Sequence, residues 1–548
     1  MPSLALLAVG ASILYTLLLA IHRLYLSPIS HIPGPKLAAL TWWYQFYYDV
    51  IEQGTYMLKM QDLHAHYGPV IRINPDEVHV ADPAFMDTLY PGHGRTKKRN
   101  KWTFYTGVLG TPGASMNTNE HDLHRVRRAA LNPFFAKGAI RKLQPLIDAK
   151  VDLLLERLEG VRKERVGGGV VNVNHAMSAF TNDVVTEFCF GKCHDRLRHP
   201  TFDPSFHDKA KAGLCVVPLL ASFPWVVRAL EALPPALGSL LSADYAEYVK
   251  EKNEILTEAK KAMESRESTT TSPLAHRTIF HEILDSKLPP EEKTLPRLAD
   301  EAAVTLAAGT LTTAWDLTVA MYHIVADPSI ARKLRAELVD AIPDPAVHTP
   351  LPVLENLPYL RGCVQEAIRL GKGVPGRINQ IATEETMAVP VPSLTDGNTP
   401  ERKQQQTQIT IPPGTPTSMT VYIVHHNETL FPDSHSFRPE RWLQGDARIE
   451  KYLFGFGKGT RGCAGINLAY AEMTIALARV FRVYGTELGG EVLIGEGEGE
   501  GEESCRRGVL ELYQTTDTEV ECVGAMVLPR VASGLRGVKM RVRDGLVG

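Results

Sequence analysis

Cysteine is scarce in this chain. Seven in 548 residues is an odd count, spread too thinly for a disulfide scaffold, and it points to a reducing compartment for most of the protein. Net charge is nearly absent as well, 59 Lys and Arg against 62 Asp and Glu giving −3, so no basic footprint for nucleic acid exists. Internal repeats are missing, and no second domain boundary shows after the first residues. What is present is ordinary for a folded protein, 44% hydrophobic and 22% charged. The length accommodates about two to four average domains or one large enzyme fold.

The beginning differs in kind. Leu4 to Ile21 (LALLAVGASILYTLLLAI) carries no charge, at the lower limit for a helix that spans a bilayer. A cleaved signal peptide is the competing reading, but it calls for a basic residue before the apolar run and a small-x-small site after it. Here the basic residues, Arg23 and later Lys36, follow the run, with Tyr25 at the interface. Positive charge on that side holds it in the cytosol, so residues 1–27 read as an uncleaved anchor at the endoplasmic reticulum. The sequon Asn427-Glu428-Thr429 then lies on the wrong side for glycosylation and reads as chance.

Residues 28–36, with Pro28 and His31-Ile32-Pro33-Gly34-Pro35, form a stiff hinge that stops the anchor helix. Residues 37–548 read as one catalytic domain. Val70–Ile73, Val78–Val80, Gln408–Ile411 and Ser418–Val424 look like strands, whereas residues 120–375 read almost wholly as helices. The stretch Gly495–Glu503 (GEGEGEGEE) cannot bury a core and reads as a solvated loop. The aromatic run Trp42–Tyr48 suits packing near a membrane surface.

The most specific pattern is Phe456-Gly457-Lys458-Gly459-Thr460-Arg461-Gly462-Cys463-Ala464-Gly465, which fits F-x-x-G-x-R-x-C-x-G at every fixed position. Its glycines allow a tight backbone path, and an apolar helix from about Ile466 to Val483 starts just beyond. A helix N-terminus lowers a thiol's pKa, so Cys463 is placed to be a thiolate, as an axial haem ligand must be. A structural cysteine in a glycine-rich turn is the bland alternative.

With this motif the chain resembles the cytochrome P450 haem-thiolate monooxygenases. The resemblance implies a mainly α fold with small β-sheets, behind one N-terminal transmembrane helix, and a haem b held by Cys463, with Phe456 and Arg461 beside it. Glu366-Ala367-Ile368-Arg369 matches the family's E-x-x-R, with Phe437-Arg438-Pro439-Glu440-Arg441-Trp442 downstream. In the family, residues corresponding to Glu366, Arg369 and Arg441 form a buried network bracing the cysteine loop; bidentate pairing offsets its desolvation. His121 to Phe135 resembles the family's C helix, with His124 in place of the usual Trp and Arg128 as the Arg that binds a haem propionate. The neighbouring His121/Arg125 pair has the same spacing. Arg377, in Val374-Pro375-Gly376-Arg377, offers another propionate donor.

The oxygen-binding pattern [AG]-G-x-[DE]-T-T is matched by Ala308-Gly309-Thr310-Leu311-Thr312-Thr313, within a helical run from Leu298 to Ala326, except that Leu311 replaces the acid. Gly309 is expected to let dioxygen approach the backbone, and Thr312 to organise water for proton delivery. The missing acid leaves that route without its usual donor. Pocket contacts are expected from Thr103–Asn117, Pro204–Pro235, Ala302–Ala308 and Lys372–Pro375. Cys189, Cys193, His194 and His199 are spaced poorly for zinc.

The resemblance implies O2, NADPH electrons through a reductase, and one oxygen atom inserted into a C–H bond of a lipophilic small molecule, by hydroxylation or epoxidation. The opening HIPGPKLAALTWWYQFYYDV is similar to microsomal fungal enzymes of secondary metabolism, including trichodiene-oxygenase-like members acting on terpenoid skeletons; a polyketide is the other substrate class in view. Two rivals stand beside this reading: a reductase-independent haem-thiolate isomerase or peroxygenase, and a non-catalytic membrane haem sensor.

Overall fold

A computed structural model describes residues 4–92, 97–108, 110–164, 166–231, 253–264, 277–391, 407–443, 445, 447–488, 491–492 and 508–544. The acidic stretch Gly495–Glu503 and the end of the Pro204–Pro235 region lie outside the described residues. The apolar run at the start forms a single helix, Leu4–Ile21, with no buried residue. Through Leu26 it is long and apolar enough to cross a membrane.

The segment after that helix is docked rather than loose. Arg23 donates to the Leu40 carbonyl at 2.6 Å, and the Arg72 guanidinium donates to the Arg23 carbonyl at 2.6 Å. The hinge then crosses the first strand so closely that a side chain at Gly34 would collide with the Arg72 carbonyl oxygen. A glycine is required there.

Helices dominate the body. The long helix Leu295–Ala326 starts at Thr294 with Pro296 in its first turn, and the Asp327-Pro328 pair ends it. It packs most heavily on Val173–Phe190, and also on Pro358–Gly371 and Ile466–Val483. These four helices carry much of the largest apolar core, from Val184 and Phe188 through Leu317 and Ile324 to Leu360 and Leu477. One short strand, Val170–Asn172, interrupts the expected helical stretch by pairing with Lys539–Arg543.

Two five-stranded sheets flank the helices. The first is ordered Val70–Arg72, Val78–Val80, Pro416–Thr420, Arg377–Ala382, Arg99–Asn100, antiparallel except between the second and third. The expected strand Ser418–Val424 stops at Thr420, and Val421–His425 turns into a short helix. The N–H groups of Val421 and Tyr422 donate to the carbonyls of Gly376 and Pro375. That bend overrides the β-propensity of the β-branched residues, and it aims His425 at the cysteine loop.

Candidate active site

The cysteine loop is closed by its own backbone. The Cys463 N–H donates to the Phe456 carbonyl at 2.8 Å, and Gly457 and Gly459 take positive φ of 62° and 69°. A Cβ at Gly459 would press on the backbone of Tyr90 and Pro91, so the loop sits flush against that segment. The Phe456 ring lies 5.4 Å from that of Tyr470 on the following helix, Ile466–Val483.

Cys463 itself is exposed. Protein atoms around its sulfur push the thiol up, against the Gly465 and Ile466 N–H groups and Arg128, which lower it. The expected lowering at the helix start is therefore present but outweighed by desolvation.

Behind the loop lies a buried charge network. Arg369 grips Glu366 with two bonds of 2.6 and 2.9 Å, and Arg441 Nε adds a third at 2.9 Å. Trp442 Nε1 and the Arg438 N–H also donate to this carboxylate, at 2.8 and 3.0 Å. Burial alone would raise the Glu366 carboxyl, but the bonds from Arg369 and the charges of Arg369 and Arg441 hold it below the usual range. Arg369 spends its remaining donors on the carbonyls of His425, Ser434 and Ser436.

A cluster of cations faces the loop from the other side. Arg128 donates to the Gly462 carbonyl at 3.1 Å. Arg461 donates to the carbonyls of Thr118 and Asn119, while its Nε is buried without a partner. Lys101 reaches the Met116 carbonyl, and burial followed by the Arg461 charge pushes it down to about 8. His124 is 4% exposed and its Nδ1 has no partner; burial, then Arg461, Lys101 and Arg128, push its imidazolium down to about 3. His121 differs: its Nδ1 accepts the Arg99 N–H, and Arg125 is exposed. The two pairs of equal spacing are thus separated by their partners, and His124/Arg128 is the pair beside the cysteine loop.

Over the loop, Ala308 and Thr312 lie one turn apart on the accessible face of the long helix, and the Thr312 hydroxyl donates to the Ala308 carbonyl at 2.8 Å. A Cβ at Gly373 would lie 3.8 Å from Thr312 Cβ and 3.9 Å from the Gly455 carbonyl oxygen. The loop after Gly371 therefore joins the long helix to the cysteine loop. Two further helix residues pack against the core or a neighbouring helix. Leu311 is buried in the apolar core. Gly309 points the side that would bear a Cβ at Val185, whose Cγ2 would be 2.8 Å away. Its neighbour Thr310 bonds Thr181 and Asn182 on the same partner helix. Close packing of the two helices thus calls for a glycine at position 309.

The comparisons with known proteins fall on this geometry. The family model described as Cytochrome P450 matches residues 33–492. This chain belongs to the cytochrome P450 family. It is 43% identical over 531 residues to the cytochrome P450 monooxygenase tpcC of Cochliobolus heterostrophus, covering 97% of this chain and 95% of that one. It is 42% identical over 534 residues to the cytochrome P450 monooxygenase astB of Talaromyces wortmannii, covering 97% and 96%. The N-acetyltryptophan 6-hydroxylase ivoC of Emericella nidulans shares 37% over 495 residues, 89% of this chain and 92% of that one.

A P450 carries haem, and the residues present fit one. The exposed Cys463 sulfur suits its iron, and the unpartnered buried nitrogens of His124 and Arg461, beside Lys101 and Arg128, suit anionic propionates. Arg377 does not join this cluster. Side chains alternate along Arg377–Ala382: Ile378 packs on the side of Gly457, so Arg377 and Asn379 face away. The Arg377 guanidinium pairs with Asp49 at 3.0 Å and stacks on Tyr56, and Asn379 bonds Glu77. The alternation instead brings Gln380 to the Ile378 side, 1% exposed with both amide atoms unpartnered.

Sequence reasoning missed Gln380 and His425. The period of two in the strand, counted from a residue against the loop, is the signal that reveals Gln380. For the zinc reading, no metal-binding group of three exists among the described residues. Cys193 instead accepts from Lys150 and the Asp195 N–H, and His194 bonds Asn182.

Proposed function

We propose that this P450 monooxygenase hydroxylates or epoxidises a lipophilic small molecule of fungal secondary metabolism, a terpenoid or a polyketide. Electrons come from NADPH through a membrane reductase, at the endoplasmic reticulum. The observation that carries the reading is the apposition of Thr312 to the cysteine loop through Gly373. It supports a hydroxyl on the same side of the protein as the cysteine loop, available to organise water for proton delivery.

Bound haem supplies oxygen activation and C–H cleavage. The chain's own residues do the rest. Cys463 would hold the iron as its thiolate. His124, Arg128, Arg461 and Lys101 would neutralise the propionates, the neutral imidazole of His124 taking a proton or donating Nδ1–H to an anion placed there. Thr312 turns its hydroxyl from the Ala308 carbonyl to hold a water. Ala308 and the segment Thr103–Asn117 bound the substrate space; Glu301 fixes that segment by accepting from the Ser115 N–H and hydroxyl at 2.9 and 2.7 Å. The exposed Leu37, Trp43, Tyr47 and Trp225 support contact with a membrane surface near the anchor.

Two variants test the reading. Reduced, carbon-monoxide-bound protein should show the absorption of thiolate ligation, and Cys463→Ser should lose it; persistence of the band refutes Cys463 as ligand. With reductase and NADPH, Thr312→Ala should release more hydrogen peroxide per NADPH consumed. A wild type that takes no electrons from reductase would favour the isomerase or peroxygenase reading.

A further inference from the structure

The long helix lacks an acid at position 311 but buries one a turn beyond Thr312. Asp316 is 5% exposed, and its Oδ1 has no hydrogen-bond partner. Four residues along a helix is about 6 Å on the same face. The carboxyl is pressed against the end of the helix Pro358–Gly371, where a Cβ at Gly371 would overlap Asp316 Oδ1. Trp315 Nε1 fixes the same spot by donating to the Gly371 carbonyl at 2.9 Å. The next residues close the arrangement: Gly373 lies against Thr312, and Lys372 is buried with Nζ donating to the Leu370 carbonyl at 2.6 Å. Thr312, Gly373, Lys372 and Asp316 thus share one small region.

We infer that Asp316 is the proton-holding group for Thr312, supplying through a water on the Thr312 hydroxyl the proton that an acid at position 311 would otherwise supply. In the transfer the Asp316 O–H bond breaks, its proton passes to that water, and the water passes one of its own onward. The carboxylate left behind is reprotonated by the Lys372 ammonium, and the resulting amine regains a proton from solvent. No electrons move.

The surroundings suit this role. Burial raises the Asp316 carboxyl well above its ordinary value, against smaller lowering by the Gly373 N–H and the Lys372 charge. An anion at a helix C-terminus is further disfavoured, so burial and the helix end both favour the protonated carboxyl. Burial pushes Lys372 down to about 8, which makes its proton easy to give up. Tyr470 also faces Asp316 and is itself raised by burial. A merely structural Asp316, packing on a helix end, would be replaced silently by Asn, which has the same shape.

The inference rests on the monooxygenase reading, and two measurements on the full-length, haem-loaded protein keep the two apart. The first needs no substrate. With reductase and NADPH, peroxide release consumes as much NADPH as O2, whereas reduction to water consumes twice as much and needs the extra protons. Asp316→Asn should cut the water-forming rate by about a hundredfold and drive the ratio of NADPH to O2 toward equality, with the carbon-monoxide spectrum unchanged. An unchanged ratio overturns the inference. The second is infrared: wild type minus Asp316→Asn should reveal the carbonyl stretch of a protonated carboxyl, and Thr312→Ala should shift that band. If Thr312→Ala leaves it in place, Asp316 does not communicate with Thr312. Should Asp316→Asn fail to fold, Gly371→Ala displaces the same carboxyl and should give the same peroxide release. A wild type that accepts no electrons would sink the monooxygenase reading, and the infrared arm would still decide between an acid tied to Thr312 and a structural one.

Discussion

His425 Nε2 accepts the N–H of Phe454, the residue that leads into the cysteine loop, at 2.8 Å. Because that nitrogen accepts, the proton sits on Nδ1, which donates to the Arg369 carbonyl at 2.8 Å. The imidazole thus relays the Glu366–Arg369–Arg441 network to the loop, and it does so only when neutral.

Removing the relay should loosen the loop. His425→Leu leaves the Phe454 N–H buried without an acceptor, at a cost of about 1–3 kcal/mol. Thermal unfolding should show the loss, and haem should dissociate faster from the variant. His425→Gln, whose side-chain oxygen can accept from Phe454, should recover much of both.

Acid should expose the same group. Burial, then the Arg369 charge, hold His425 well below its ordinary 6.5. The unfolded chain therefore binds a proton below about pH 6.5 that the folded one refuses, so the stabilisation is complete above that pH and falls as pH drops. Relative to His425→Gln, wild type should lose ~1.4 kcal/mol per pH unit below 6.5. Buried carboxyls such as Glu472, also raised by burial, act in the opposite sense, so the informative quantity is the difference between the two proteins. Parallel stability curves would show that His425 is not neutral in the fold.

The residues legible in the sequence were those whose role follows from type and spacing. Leu4–Ile21 and Ile466–Val483 are helices with the expected bounds because apolar continuity and period are local properties. Glu366, Arg369 and Arg441 meet because E-x-x-R places two partners on one helix face and the motif downstream brings the third. What stayed hidden depended on direction across space. Arg377 has suitable chemistry, but strand alternation turns it toward Asp49, and Gly309 has the expected identity, but it faces Val185. No pattern in the chain announces that Asp316 reaches Gly371, since the two are joined only by the packing of two helices.

The hinge gives a prediction about truncation. Residues 22–27 belong physically to the body, because Arg72, 2% exposed, uses the Arg23 carbonyl as a partner. Deleting 1–21 should weaken membrane association and leave unfolding unchanged. Deleting 1–27 removes that acceptor as well and should cost a further 1.5–3 kcal/mol or so, the range for a hydrogen bond from a charged group. Denaturant unfolding of the two truncated proteins side by side decides this, and equal midpoints would show that the docked segment contributes nothing.

Gly309 offers the last test, because its two explanations predict opposite results in a pair of variants. Gly309→Ala puts a methyl 2.8 Å from Val185 Cγ2, closer than carbon atoms pack, on a helix pair whose backbones are tied by the Thr181 hydroxyl and the Thr310 carbonyl. Neither helix can shift freely, so the overpacking should cost about 1–3 kcal/mol. Val185→Ala alone removes two methyl groups from a fully buried site and should also destabilise. Combined, the new methyl fills part of the space the valine vacates, and the double variant should be more stable than the sum of the two losses by about 1 kcal/mol or more. If the glycine instead served an approach of dioxygen, the Gly309→Ala defect would appear in peroxide release and turnover, and Val185→Ala would not relieve it. Additive stabilities with persistent uncoupling would return Gly309 to the oxygen site.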